Sequence, residues 1–150
     1  MKILVCTDGS KNSEKGIEVA AKMVGDCSIN EVGIIHVHES ASFFPDYWHG
    51  KYPFSTEEEA KLKEMDKRLF EERKKYFSRA VKAFEKHHIP VQTIFRVGHA
   101  PEIISQVATE DGYDLIVIGR RGNSGIKSLF LGSVSNAVLQ AAKTNVLIVK

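Results

Sequence analysis

Asp114-Leu115-Ile116-Val117-Ile118 runs straight into Gly119-Arg120-Arg121-Gly122, and nine residues further on stands Gly132-Ser133. The first five residues form a short, almost wholly apolar run, which is the pattern of a strand buried on both faces of a parallel sheet. Residues 134–142 carry apolar positions at helical spacing. A glycine-bearing loop therefore joins the carboxyl end of a strand to the amino end of a helix. Glycine lets the backbone approach a ligand closely and adopt positive φ. The unpaired N–H groups of the helix's first turn, with the positive end of its dipole, suit an anion such as phosphate. Ser133 adds a hydroxyl donor.

The rest of the chain repeats this alternation. Lys2-Ile3-Leu4-Val5-Cys6-Thr7 reads as a strand ended by Asp8-Gly9-Ser10, and Asn12 or Ser13 is placed to cap the helix that follows. That helix shows Ile17, Ala20, Ala21 and Val24 on one face. Residues 31–37, Val91–Val97, 114–118 and Asn145–Val149 read as further strands, and 100–109 as a helix with Pro101 in its first turn. Strands alternating with helices predict an α/β, doubly wound parallel sheet. In such folds ligands bind outside the carboxyl ends of the strands, where both Asp8 and the glycine loop would lie.

Two segments stand outside this frame. Residues 55–88 form a long helical pattern with an apolar stripe through Leu62, Met65, Leu69, Tyr76, Phe77, Ala80, Val81 and Phe84. We read it as a surface helix packing one stripe on the sheet, with a partner-binding or coiled-coil helix as the other reading. Residues 40–54 carry Phe43, Phe44, Tyr47, Trp48, Tyr52 and Phe54 among Pro45, Gly50 and Pro53. Such a segment either folds over a ligand or partner, or simply covers the core.

The chain of 150 residues is expected to form a single domain over 1–150. A net charge of +2 makes no case for nucleic acid. No run approaches a membrane span, and no signal peptide is expected. Cys6 and Cys27 form no C-x-x-C pair, and Cys6 reads as a small buried thiol. A reducing cytoplasmic setting is expected. His36 and His38 lie on one strand face without a third ligand at metal spacing, so they read as core or pocket-lining residues and no metal site is expected.

The spacing G-x2-G-x9-G-[ST] is neither the Walker A loop nor the dinucleotide fingerprint. It resembles the nucleotide-binding signature of the universal stress protein family, in its ATP-binding branch, and the resemblance covers essentially the whole chain. It implies a Rossmann-like, adenine nucleotide alpha hydrolase-like sheet of five parallel strands in the order 3-2-1-4-5, with four helices. It further implies that Asp8 meets the nucleoside, that the main chain of Val37 pairs with the adenine edge, and that Thr7, His38 and the turn at 97–101 flank the same pocket. Gly119, Gly122, Gly132, Ser133 and Val134 match the phosphate-binding positions, with Arg120 and Arg121 as neighbouring cations. The expected ligand is ATP, ADP or AMP with Mg²⁺. Family members commonly form homodimers through the strand matching Asn145–Val149, and a further protein partner is expected.

Asp8 is the sole obvious carboxylate for the pocket, so no catalytic residue is assigned and hydrolysis should be slow. The expected function is a nucleotide-dependent regulatory switch in the stress response. A nucleotide-independent dimeric scaffold and an adenylating enzyme of the wider group are the alternatives. For the latter, Cys6-Thr7-Asp8-Gly9-Ser10 only faintly echoes the Ser-Gly-Gly-x-Asp-Ser loop.

Overall fold

A computed structural model describes residues 1–38, 56–121 and 131–150, with only some side chains given over the first half of the long helix. In chain order the elements are β1 (Lys2–Cys6), α1 (Lys11–Asp26), β2 (Glu31–His38), α2 (Thr56–Phe84), a 3₁₀ turn (Glu85–His87), β3 (Val91–Val97), α3 (Ala100–Glu110), β4 (Leu115–Gly119), α4 (Ser133–Ala141) and β5 (Asn145–Val149). The sheet is parallel throughout, ordered β3-β2-β1-β4-β5, as expected.

Each strand serves two cores because its side chains alternate between faces. Ile3 and Val5 join Ile17, Ala20, Val24, Val32, Ile34, Ala80 and Phe84 beneath α1 and α2. Leu4 and Cys6 join Ile35, Ile94, Ile104, Val107, Ile116 and Val138 beneath α3 and α4. That double burial is why the central strands read as unbroken apolar runs. The long helix packs its stripe inward through Ala80 and Phe84, both fully buried, as the surface-helix reading has it. No helix among the described residues is long and apolar enough to cross a membrane.

Three expectations are corrected. The cap of α1 is Ser10, whose Oγ accepts from Ser13 N at 3.2 Å, and neither Asn12 nor Ser13 caps it. The helix starts earlier because Asp8 Oδ1 accepts from Ser10 N at 3.0 Å and turns the chain at once. Asp114 stands just outside β4, and its Oδ2 accepts from Lys2 N at 2.7 Å. The last helix begins at Ser133, one residue before the expected start. The aromatic segment 40–54 lies outside the described residues.

The amino-terminal pole of the sheet is closed by Tyr113, whose ring lies where a side chain on Gly33 would stand. Lys2 Nζ sits 4.6 Å from that ring's centroid. Burial, with the charges of Asp111 and Glu31, pushes the Tyr113 phenol up to about 12. A phenol whose pKa is raised by folding adds stability that is complete below the unfolded value near 10 and is lost as pH rises through 12. Tyr113→Phe should therefore flatten the fall in stability between those values, as chemical denaturation across alkaline pH would show. A parallel fall in both proteins would reject the assignment.

A candidate nucleotide site at the carboxyl ends of the strands

Where β1, β2 and β4 end, the main chain does three different things, and together they open a cavity. After β1, Thr7 N donates to Ile35 O at 2.9 Å, and Gly9, at φ +72, turns the chain into α1. His36 Nδ1 lies 2.7 Å from Thr7 O. A carbonyl oxygen can only accept, so Nδ1 carries the proton and the imidazole pins the end of β1 to β2. His36 is buried against the rings of Phe95 and Tyr76. His36 is thus a core histidine, and neither it nor His38 lines the cavity.

β2 outruns β1. The main chain of Ile35 faces β1, accepting from Thr7 N, whereas His38 faces β3, accepting from Gly98 N at 3.1 Å. In a parallel ladder these directions alternate along the strand. Val37 therefore presents its N–H and C=O toward the β1 side, beyond the point where β1 has turned away. The cavity opens there.

β4 ends in a tight knot. Arg120 N donates to Val149 O at 2.7 Å, and Arg120 O accepts from Gly132 N at 2.9 Å. Ser135 Oγ, almost fully buried, reaches Arg120 O at 2.8 Å and Gly132 O at 3.0 Å. Its one proton is shared between two carbonyls, and the start of α4 is tied to the end of β4. Gly132 is the N-cap of α4 in extended conformation, so the first N–H groups of the helix have no side-chain cap.

The resulting cavity of about 250 Å³ is lined by Thr7, Asp8, Val37, Gly119, Arg121, Gly132, Ser133 and Val134, all drawn from the expected set. Arg120 does not line it; its main chain is consumed in the β4–β5–α4 knot. Gly122 lies outside the described residues. The positive φ proposed for the loop glycines is absent from Gly119 and Gly132; among the described glycines it is Gly9, Gly98 and Gly112 that adopt it. Close approach is the reason for both. A Cβ on Gly119 would fall 2.6 Å from Asn12 O, and one on Gly132 would fall 3.2 Å from Arg120 O.

Several lining residues escaped the sequence reading. Cys6, Ile35 and Ile118 form the apolar floor, Ile104 part of one wall and Ser13 a polar point; Ala100 and Ser135, which stand in segments expected near the site, complete the lining. Ala100 brings the turn at 97–101 to the pocket. Ile104 lies one helical turn further on, a spacing that a search for wall residues would have followed. The thiol of Cys6 is pushed far up by burial, helped by the charge of Asp8, so it serves as an apolar surface and not as a nucleophile.

The Universal stress protein family model matches residues 1–150. Universal stress protein YxiE of Bacillus subtilis is 33% identical over 99% of this chain and 98% of its own length. The solved structure of hypothetical protein MJ0577, from Methanocaldococcus jannaschii, has a TM-score of 0.77 at 27% identity, covering 99% of this chain and 94% of that one. The universal stress protein of Archaeoglobus fulgidus in complex with dAMP shares the fold, with a TM-score of 0.63 at 22% identity, covering 100% of this chain and 98% of that one. Matched from the first residue to the last, the chain belongs to the universal stress protein family.

Proposed function

We propose that the cavity binds an adenine nucleotide, ATP in the first instance, and that the protein acts as a nucleotide-dependent switch in the stress response. One observation carries this reading. The uncapped start of α4, the outward main chain of Val37 and the carboxylate of Asp8 surround a single cavity. A purine edge needs a main-chain donor and acceptor, a ribose needs an acceptor for its hydroxyls, and a phosphate needs unpaired N–H groups. The cavity offers each in the right order from β2 to β4. The dAMP complex of the A. fulgidus relative supports the same ligand class.

Asp8 Oδ1 already accepts from Ser10 N, so the residue both turns the chain and faces the cavity. Arg121 supplies charge on the phosphate side. Without a metal-ligating cluster among the described residues, Mg²⁺ would be held by phosphate and water, arriving with the nucleotide. Asp8 is the only carboxylate lining the cavity among the described residues, which supports binding with slow hydrolysis at most.

β5 is an outer strand of the sheet, and Val146, Leu147 and Ile148 are only half-buried. Pairing with the same strand of a second copy would cover them, which supports a homodimer.

The test is the nucleotide released on denaturing freshly purified protein, resolved by chromatography, with the native mass measured on the same sample. Adenine nucleotide near one per chain on a dimer is expected. Asp8→Ala should weaken binding about tenfold, the worth of one charge-assisted hydrogen bond, whereas Asp8→Asn keeps the turn and separates folding from binding. A chain that carries no nucleotide and takes up none with ATP and Mg²⁺ would leave the scaffold reading in its place.

A further inference from the structure

A second concavity, of about 360 Å³, lies on the far edge of the sheet between α2 and β3, lined by Phe70, Arg73, Lys74, Phe77, Thr93 and Phe95. Phe70 is 52% exposed. The Arg73 guanidinium lies over two phenyl rings, 5.3 Å from the centroid of Phe70 and 4.8 Å from that of Phe95. Cation–π contact steadies the guanidinium, whose N–H fork suits a carboxylate. Neither Arg73 nor Lys74 has an ion-pair partner, and no carboxylate lines the groove, among the described residues.

The floor of the groove is the outer edge of β3. Val32 N donates to Pro90 O, and Gly98 N to His38 O, so the even-numbered residues of this stretch turn their main chain toward β2. Val91, Thr93, Phe95 and Val97 turn theirs outward. Phe95 O is met by Arg96 Nη1 at 2.9 Å, which partly screens the edge. Thr93, which lines the groove, turns its N–H and C=O away from β2.

We propose that this groove receives an extended, acidic segment of a partner protein, laid as an added strand along β3. The main-chain row calls for a strand, because only a polypeptide repeats N–H and C=O at the matching interval. The two cations call for a carboxylate on the segment's inward face, and the three phenyl rings for apolar residues two positions to either side of it. A single-stranded nucleic acid would use the rings and cations but not the edge, and the chain's net charge of +2 offers no wider basic field to hold it.

The probe is a fluorescein-labelled heptapeptide with Val, Glu and Val at alternate positions and Thr between them, titrated with the full chain and followed by anisotropy. Saturable binding is expected, at least tenfold weaker for Arg73→Glu and absent for the peptide with Lys in place of Glu. Thr93→Pro removes an outward N–H without cutting a bond to β2, so it should abolish binding while the melting temperature stays near that of the parent. Lys74→Glu serves if Arg73→Glu fails to fold. The proposal is overturned if the parent gives no saturation, if the Lys peptide binds equally well, or if neither edge nor charge variant changes affinity. It is equally overturned if oligouridylate binds where the peptide does not, or if Arg73→Glu changes only the native mass, which would make a second copy the occupant.

Discussion

Gly119→Ala is expected to unfold roughly 10 °C below the parent protein, a loss of about 3 kcal/mol in a chain of this size. The added methyl would stand 2.6 Å from Asn12 O, 2.7 Å from Asn12 C and 2.9 Å from Ser13 N. All three are backbone atoms of the first turn of α1, so no side chain can rotate to relieve the overlap. The helix must back away from β4, drawing Ser13 from the rim of the cavity and disturbing its Ser10 cap. Gly16→Ala is the control. Its Cβ would find Gly119 N at 3.6 Å, an ordinary contact, and alanine suits a helix better than glycine. Thermal melts of the two variants side by side should therefore diverge, with Gly16→Ala at or above the parent. If both melt like the parent, α1 does not sit as close to β4 as described.

The second large effect belongs to the start of α4. Gly132→Val places a branched side chain 3.2 Å from Arg120 O and Arg121 Cα, at the edge of the cavity where phosphate is proposed to lie. Calorimetric titration with ATP and Mg²⁺ should show affinity reduced at least about 100-fold, or 2.7 kcal/mol. Ser133→Pro separates ligand loss from helix loss. Proline is welcome at the first helical position, and Gly132, at ψ 156, already has the extended backbone that must precede it. The helix survives, and one anion-facing N–H and one hydroxyl disappear, for about a tenfold loss. Unchanged affinity in both variants would move the phosphate away from α4.

Much of this was legible because the parallel sheet writes itself plainly. Ile3-Leu4-Val5 and Leu115-Ile116-Val117-Ile118 are apolar on both faces, and glycine or aspartate marks their carboxyl ends. What escaped depends on contacts between distant residues. Ser10, Asn12 and Ser13 are all suitable caps, and only the turn made by Asp8 selects Ser10. Gly119 resembles a phosphate-loop glycine, yet the atoms that forbid a side chain there belong to α1, more than 100 residues earlier in the chain. Arg120 and Arg121 are neighbours of one type, and the main-chain bonds to Val149 and Gly132 decide which of them lines the cavity. Ile104 carries no chemical signature of a site wall, because an apolar wall residue and a core residue look alike in a sequence.

The direction of β5 has a practical side. Every strand runs the same way, so Val149 ends beside Gly119, whereas Met1 is held at the opposite pole by its amino group donating to Ser28 O at 2.6 Å. A fluorophore or fusion partner joined after Lys150 leaves the molecule next to the cavity mouth and shares space with whatever occupies it. The same group joined ahead of Met1 leaves from the far end. The carboxyl end is thus the place to mount a reporter of ligand arrival, and the amino end the place to anchor the protein to a surface without obstructing it.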